Sequence, residues 1–118
     1  MSSIFRETSI TWDGATYEFV PALSLLRKIE RGRPGEGPVS LIAVAQSAVS
    51  GAPLMPLMCQ IITDVMLYAG ATGFTEDDVY QEALTGNAAA VNALWWDIYT
   101  ALSPVPKEQK KADAPESE

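Results

Sequence analysis

The first regular pattern in the chain is an alternation of apolar and polar residues on both sides of a two-residue turn. Residues 8–12 and 15–20 are rich in β-branched and aromatic side chains and flank Asp13-Gly14. An Asp-Gly pair between alternating segments favours a type I′ turn, which needs positive φ at both central positions. The sequence therefore predicts a hairpin over about residues 8–20. The turn sets its register as Trp12 with Ala15, Ile10 with Tyr17, and Thr8 with Phe19.

Helical spacing replaces this alternation after Pro21, which ends the second strand and suits the first turn of a helix. Apolar residues at i, i+3, i+4 and i+7 form one stripe of this first helix: Ala22, Leu25, Leu26 and Ile29. Gly32 is expected to stop the helix, and residues 33–38 form a loop rich in glycine and proline.

Two further helices are predicted over residues 39–49 and about 56–69, and both are apolar on most sides. The polar residues of the second form one narrow stripe: Gln60, Thr63 and Asp64. Such helices are either buried centrally or lie at an interface. Two of them are hard to bury in a small domain, so Leu57 and Met58 are candidates for a partner-binding face.

Capping residues mark the start of the last two helices. Thr75 and Asp78 have the spacing of a capping box, and the helix that they begin ends at Leu84, before Gly86. The acidic residues 76–78 then complement the helix dipole. A carboxylate metal site is the alternative, but the spacing lacks the glycine and terminal glutamate of a calcium loop.

The fifth helix begins after Asn87 and carries two stripes at helical spacing. The apolar stripe consists of Val91, Leu94, Trp95, Ile98 and Leu102, and a second stripe consists of Asn92, Trp96, Tyr99 and Ser103. The spacing places Trp95 in the core and Trp96 at its margin. Asn92, Trp96 and Tyr99 either complete the packing or form a partner-binding surface, because aromatic residues at a core margin are enriched in interface hot spots.

These elements together predict a mainly α fold, with an N-terminal β-hairpin followed by about five helices in one compact domain, residues 1–103. The remaining residues, 104–118, are rich in lysine, glutamate, alanine and proline and are expected to be a disordered tail.

Composition narrows the chemistry. The 118 residues include no histidine and one cysteine, Cys59, so a histidine-dependent catalytic triad and a cysteine-based zinc cluster are excluded within one chain. No glycine-rich phosphate loop is apparent, and we expect no catalytic activity, cofactor or metal.

Residues 1–5 show no signal peptide, and no apolar run approaches the ~20 residues of a membrane span. The expected location is the cytoplasm, without membrane contact.

Charge is unevenly distributed along this acidic chain, whose net charge is −7. All basic residues lie outside residues 34–106, and four of them are close together: Arg27, Lys28, Arg31 and Arg33. This group is too small for a nucleic-acid interface on an acidic body. It either folds back onto the acidic middle or is solvated, or else it steers a partner or a second copy of the chain. Arg27, Lys28 and Arg31 are therefore further candidate partner-binding residues.

The order of elements resembles the tail assembly chaperones of long-tailed phages and the related small tail proteins of gene transfer agents. The resemblance covers about residues 8–104. It is carried by Trp-Asp-Gly-x-x-Tyr at 12–17, Pro-Ala-Leu-Ser-Leu-Leu-Arg-Lys-Ile-Glu at 21–30, Tyr-Ala-Gly at 68–70, Glu-Ala-Leu-Thr-Gly at 82–86 and Ala-Leu-Ser-Pro at 101–104.

The resemblance implies a helical, non-enzymatic viral protein that coats the tape measure protein and helps to recruit tail tube protein. It also implies an extended form made by ribosomal frameshifting in many members, which a protein sequence does not show. Two other classes stay open on the residues alone. One is a structural virion component, such as a head–tail connector or tail terminator subunit, and the other is an acidic inhibitor protein.

Overall fold

The computed structural model of the chain describes residues 4–104 and arranges them as two strands followed by five helices. The elements are β1 (Thr8–Trp12), β2 (Ala15–Phe19), α1 (Leu23–Arg31), α2 (Leu41–Val49), α3 (Met55–Tyr68), α4 (Glu76–Thr85) and α5 (Ala88–Leu102). They pack into one compact unit, so the predicted mainly α fold with an N-terminal hairpin is confirmed. The tail predicted from residue 104 lies outside the described residues, apart from Pro104.

The hairpin has the predicted register and turn. Trp12 pairs with Ala15 next to the turn, and both Asp13 and Gly14 have positive φ, 51° and 81°. One face of the hairpin is covered, with Ile10 and Phe19 buried. The opposite face is exposed and polar, and the hydroxyl oxygens of Thr11 and Thr16 lie 3.3 Å apart on it. β1 packs on α5, which supplies the cover that an isolated hairpin needs.

Helix α3 lies at the centre of the molecule. All nine residues from Met58 to Met66 are buried, and α1, α2, α4 and α5 each contact this helix. Of the two apolar helices predicted from the sequence, α3 is the one that the fold encloses over residues 58–66, whereas Leu67 and Tyr68 at its end are 41% and 43% exposed. Its polar stripe is buried with it, which requires partners for Asp64.

Helix α2 is the apolar helix that the fold leaves at the edge. Leu41, Val44 and Ala45 are buried, whereas Ile42 and Val49 are 62% and 75% exposed. Its main neighbour is α3, and both flanking segments contain glycine and proline. α2 is therefore covered on one face only.

The predicted caps are present at the starts of α4 and α5. Thr75 Oγ1 accepts a hydrogen bond from the backbone N–H of Asp78, and Asp78 Oδ2 accepts one from the N–H of Thr75, which completes the capping box. Asn87 Oδ1 accepts a hydrogen bond from the N–H of Ala90 at 3.1 Å. The predicted stripe of α5 is also buried: Val91, Leu94, Trp95, Ile98 and Leu102.

The loop after α1 is drawn back against the helix that precedes it. The N–H of Val39 donates to the carbonyl oxygen of Glu30 at 2.9 Å, which closes the loop at its base. Gly32 ends α1 with φ 77° and ψ −168°, a conformation essentially restricted to glycine. A Cβ atom at Gly32 would also overlap the carbonyl oxygen of Gly37. This closure holds Arg33 near α3 and α4.

Gly32→Ala should therefore lower the free energy of unfolding by about 1–3 kcal/mol, because it adds both backbone strain and a clash. Gly35→Ala is the matched control, since Gly35 also has positive φ (81°) but has open space around its Cβ position. Urea denaturation followed by circular dichroism measures both. If both variants lost the same free energy of unfolding, the clash between the new Cβ atom and the carbonyl oxygen of Gly37 would not contribute to the loss at Gly32.

Candidate functional site

The candidate residues from the sequence do not converge on one site. The fold places them in three separate regions: the outer face of α1, the start of α3 and one side of α5. Two further features, a cleft beside the hairpin turn and the outer face of α2, were not predicted as sites.

The outer face of α1 is basic. Arg27, Lys28 and Arg31 are all exposed, and they lie opposite the buried Leu25 and Ile29. Lys28 and Arg31 are in the last turn, where positive charge is favoured by the helix dipole. Within residues 4–104, the side-chain ion pairs belong to Arg33 and not to these three residues. This face is consequently directed to solvent.

Arg33 is the member of the basic group that does fold back onto the acidic middle of the chain. Its Nη1 atom lies 3.2 Å from Oδ1 of Asp64, and its Nε atom donates to Oε2 of Glu76 at 2.9 Å. The Asp64 side chain is 3% exposed, whereas Arg33 and Glu76 are more open to solvent. Burial lowers the pKa of Arg33, but hydrogen bonds and charges from the two carboxylates outweigh it and raise the pKa above its ordinary value. Arg33 thus stays charged and neutralises the core carboxylate.

Cys59 lies in the same part of the core and is poorly suited to act as a nucleophile. It is buried on α3, and burial together with the negative charge of Glu76 raises the pKa of its thiol to about 11. The thiolate is the reactive form of cysteine, so the thiol is unreactive near neutral pH. Its role is packing.

The two candidate residues at the start of α3, Leu57 and Met58, differ in their exposure to solvent. Met58 is 5% exposed and belongs to the core, so its side chain does not reach the surface. Leu57 is half-buried and packs against the same core. The assignment of Met58 to a partner-binding face is therefore corrected, because the enclosure of α3 removes it from contact with solvent.

On α5, the predicted partner stripe lies at the margin of the core. Trp96 and Tyr99 are half-buried and pack edge to face, with ring centroids 5.8 Å apart. Both rings also contact the fully buried Trp95, at centroid distances of 6.2 and 6.3 Å. Asn92 is exposed one turn before Trp96. The position of this stripe agrees with the spacing in the sequence, and its role in binding stays a prediction.

A cleft of about 610 Å³ opens between the hairpin turn, α4 and the start of α5. Trp12 and Asp13 form part of one wall, and Asp78 and Glu82 form part of the other. Trp12 is held from behind by Phe74, whose ring centroid lies 5.2 Å away in an edge-to-face contact. These residues are far apart in the chain, so no spacing in the sequence indicates that they meet.

The exposed apolar side chains around α2 form the other surface without a predicted site. Ile42 and Val49 belong to this surface and are separated by about two helical turns. The apolar character of α2 on most sides was the signal in the sequence. Spacing alone did not show which of the two apolar helices would be enclosed.

Comparisons of the chain with models of known protein families, with curated proteins and with solved structures find no match. Among residues 4–104, no group of three or more cysteine, aspartate or glutamate residues has the arrangement of a metal site. In the same part of the chain, none of the helices is long and apolar enough to cross a membrane.

Arg33→Met should lower the free energy of unfolding by about 2–4 kcal/mol, because it leaves the Asp64 carboxylate buried without its partner. The double variant Arg33→Met/Asp64→Leu should lose less than Arg33→Met alone, since it removes the stranded charge as well. Urea denaturation is the suitable measurement, because guanidinium salts screen ion pairs. A double variant that is less stable than the single one would contradict this account of Asp64.

Trp95→Ala should cost about 3–5 kcal/mol of stability, because it empties a site at the centre of the core. Trp96→Ala should cost clearly less, because the side chain of Trp96 is only half-buried. Thermal and urea denaturation of the two variants make the comparison. Equal losses of stability would show that Trp96 is as much a core residue as Trp95. Its side chain would then not be available to bind a partner.

Proposed function

We propose that the protein is a non-enzymatic tail assembly chaperone of a long-tailed phage or gene transfer agent. In this role it binds apolar helical segments of the tape measure protein in the host cytoplasm and aids assembly of the tail tube. The order of elements supports the proposal through the resemblance described above. The observation that carries it is the outer face of α2.

The outer face of α2 has the chemistry of a surface that binds another helix. Ile42 and Val49 lie seven residues apart, so their side chains are about 10 Å apart along one side of the helix. A partner helix with apolar residues at i, i+3, i+4 and i+7 can cover both. Each aliphatic side chain that becomes fully buried contributes about 1.5–3 kcal/mol, and this is reduced here because both are already partly covered.

The position of α2 supports the same role. It lies at the edge of the domain with its inner face on α3, so a partner reaches it without displacing the core. Trp96, Tyr99 and Asn92 on α5 are retained as candidates for a second contact, as is Leu57 on α3.

Co-expression with a tape measure protein tests the proposal. The wild-type chain should keep the tape measure protein soluble and be purified with it as a complex. The variant Ile42→Gln/Val49→Gln should lose most of this complex while keeping its own fold, because both side chains are exposed and glutamine is compatible with helix. A tape measure protein that stays insoluble with the wild-type chain, or a complex unaffected by the variant, would contradict the proposal.

Tyr80→Gln/Leu84→Gln is the matched control, because these α4 side chains are exposed to a similar extent, 47% and 55%. It should leave the complex intact. Mass spectrometry of purified particles separates the chaperone from a structural virion component, since a chaperone is missing from the finished particle. Competition with DNA for a basic protein would identify an acidic inhibitor instead.

A further inference from the structure

Two charged surfaces of opposite sign lie on different parts of the molecule, and neither is used by the proposed chaperone contact. The first is the basic face of α1, formed by Arg27, Lys28 and Arg31. All three residues are exposed, and the ion pairs within residues 4–104 do not include them. The three neighbouring cations form a positively charged surface on a chain whose net charge is −7.

The second surface is the acidic cleft between the hairpin turn, α4 and α5. Its volume, about 610 Å³, is within the range of roughly 300–1,000 Å³ that is typical of binding clefts. Asp78 and Glu82 each use one carboxylate oxygen to cap a backbone N–H, those of Thr75 and Asn87. The second oxygen of each carboxylate therefore has capacity to accept hydrogen bonds from a cation.

The remaining lining suits long cationic side chains in particular. Asp13 adds a third carboxylate at the exposed turn, and Trp12 provides an aromatic ring. Arginine and lysine side chains pair with carboxylates and also pack against tryptophan rings. A cleft with this combination favours arginine or lysine over an apolar or anionic group.

The two surfaces are not engaged with each other within one chain. α1 packs on α3, whereas the cleft is lined by residues of the hairpin, α4 and the start of α5. A second copy can bring its α1 face to the cleft, since the ion pairs formed among residues 4–104 leave Arg27, Lys28 and Arg31 unused. This orientation pairs surfaces of opposite sign, whereas an orientation that brings two acidic surfaces together is repulsive.

We propose that the basic face of α1 in one copy docks into the acidic cleft of a second copy. The contact joins two different surfaces, so one copy of the pair retains an unused cleft and the other retains an unused α1 face. Repetition extends the assembly head to tail until it closes as a ring or continues as an open chain. This contact is separate from the outer face of α2, and the inference does not depend on the chaperone proposal.

Sedimentation velocity of the full chain tests the contact. In about 50 mM salt the weight-average mass should rise with protein concentration, and in about 500 mM salt it should return towards the monomer because the charges are screened. Arg27→Glu/Arg31→Glu, a variant of the α1 face, should weaken self-association about tenfold or more. The cleft variant Asp13→Asn/Asp78→Asn/Glu82→Gln should do the same, because it removes the charges but keeps the capping oxygens.

Mixing the two variants gives the decisive result. The α1-face variant still has an intact cleft, and the cleft variant still has an intact α1 face, so together they should form a heterodimer that grows no further. A mixture that fails to associate, while the wild-type chain does associate, would overturn the proposal. So would a wild-type chain that remains monomeric at low salt, or variants that self-associate as strongly as the wild type.

The lysines beyond residue 104 are the competing source of positive charge for the cleft. Lys107→Gln/Lys110→Gln/Lys111→Gln in the full chain should leave self-association unchanged. Loss of association in this variant, with no effect of the α1-face variant, would assign the cleft to the C-terminal segment instead. Circular dichroism confirms that each variant is folded before its mass is compared.

Discussion

The enclosure of α3 is the constraint on which the rest of the structure depends. Four helices contact it, and the uninterrupted burial of Met58 to Met66 leaves no side of the helix for polar residues. Asp64 is carried into the interior by this arrangement, and a buried carboxylate is tolerated only with a compensating partner. The glycine-rich loop after α1 supplies that partner, because its closure at Gly32 brings Arg33 to Asp64 and Glu76. Core packing and loop conformation are therefore coupled through a single guanidinium group.

Features that depend on neighbouring residues were predictable from the sequence. The Asp13-Gly14 turn determines the hairpin register, Thr75 and Asn87 cap their helices, and the spacing in α5 separates Trp95 from Trp96. In each case the determining interaction lies within a few positions along the chain. The margin position of the Trp96 stripe was predictable for the same reason, although spacing does not decide whether a marginal aromatic residue binds a partner.

Features that depend on distant residues were not predictable. α2 and α3 have similar apolar patterns, and the selection of α3 as the central helix results from packing by all the other helices. That selection withdraws Met58 into the core and leaves Ile42 and Val49 outside. The cleft is a stronger case, because Trp12 and Glu82 belong to elements seventy residues apart. The Arg33 ion pairs also join distant segments, and charge grouping in the sequence suggested only that some basic residue would fold back.

The contact between β1 and α5 has a consequence for how the protein is made. The first strand and the last helix of the described chain pack on each other, so the core cannot close until the final helix has been synthesised. α3 ends at Tyr68 and α5 ends at Leu102, so at roughly 5–20 residues per second the synthesis of α5 is finished about 2–7 s after that of α3. Until α5 is available, α3 lacks part of its cover, and apolar residues that the finished fold buries are accessible to solvent. Nascent chains of this protein therefore pass through an aggregation-prone stage that ends when α5 packs on β1 and α3.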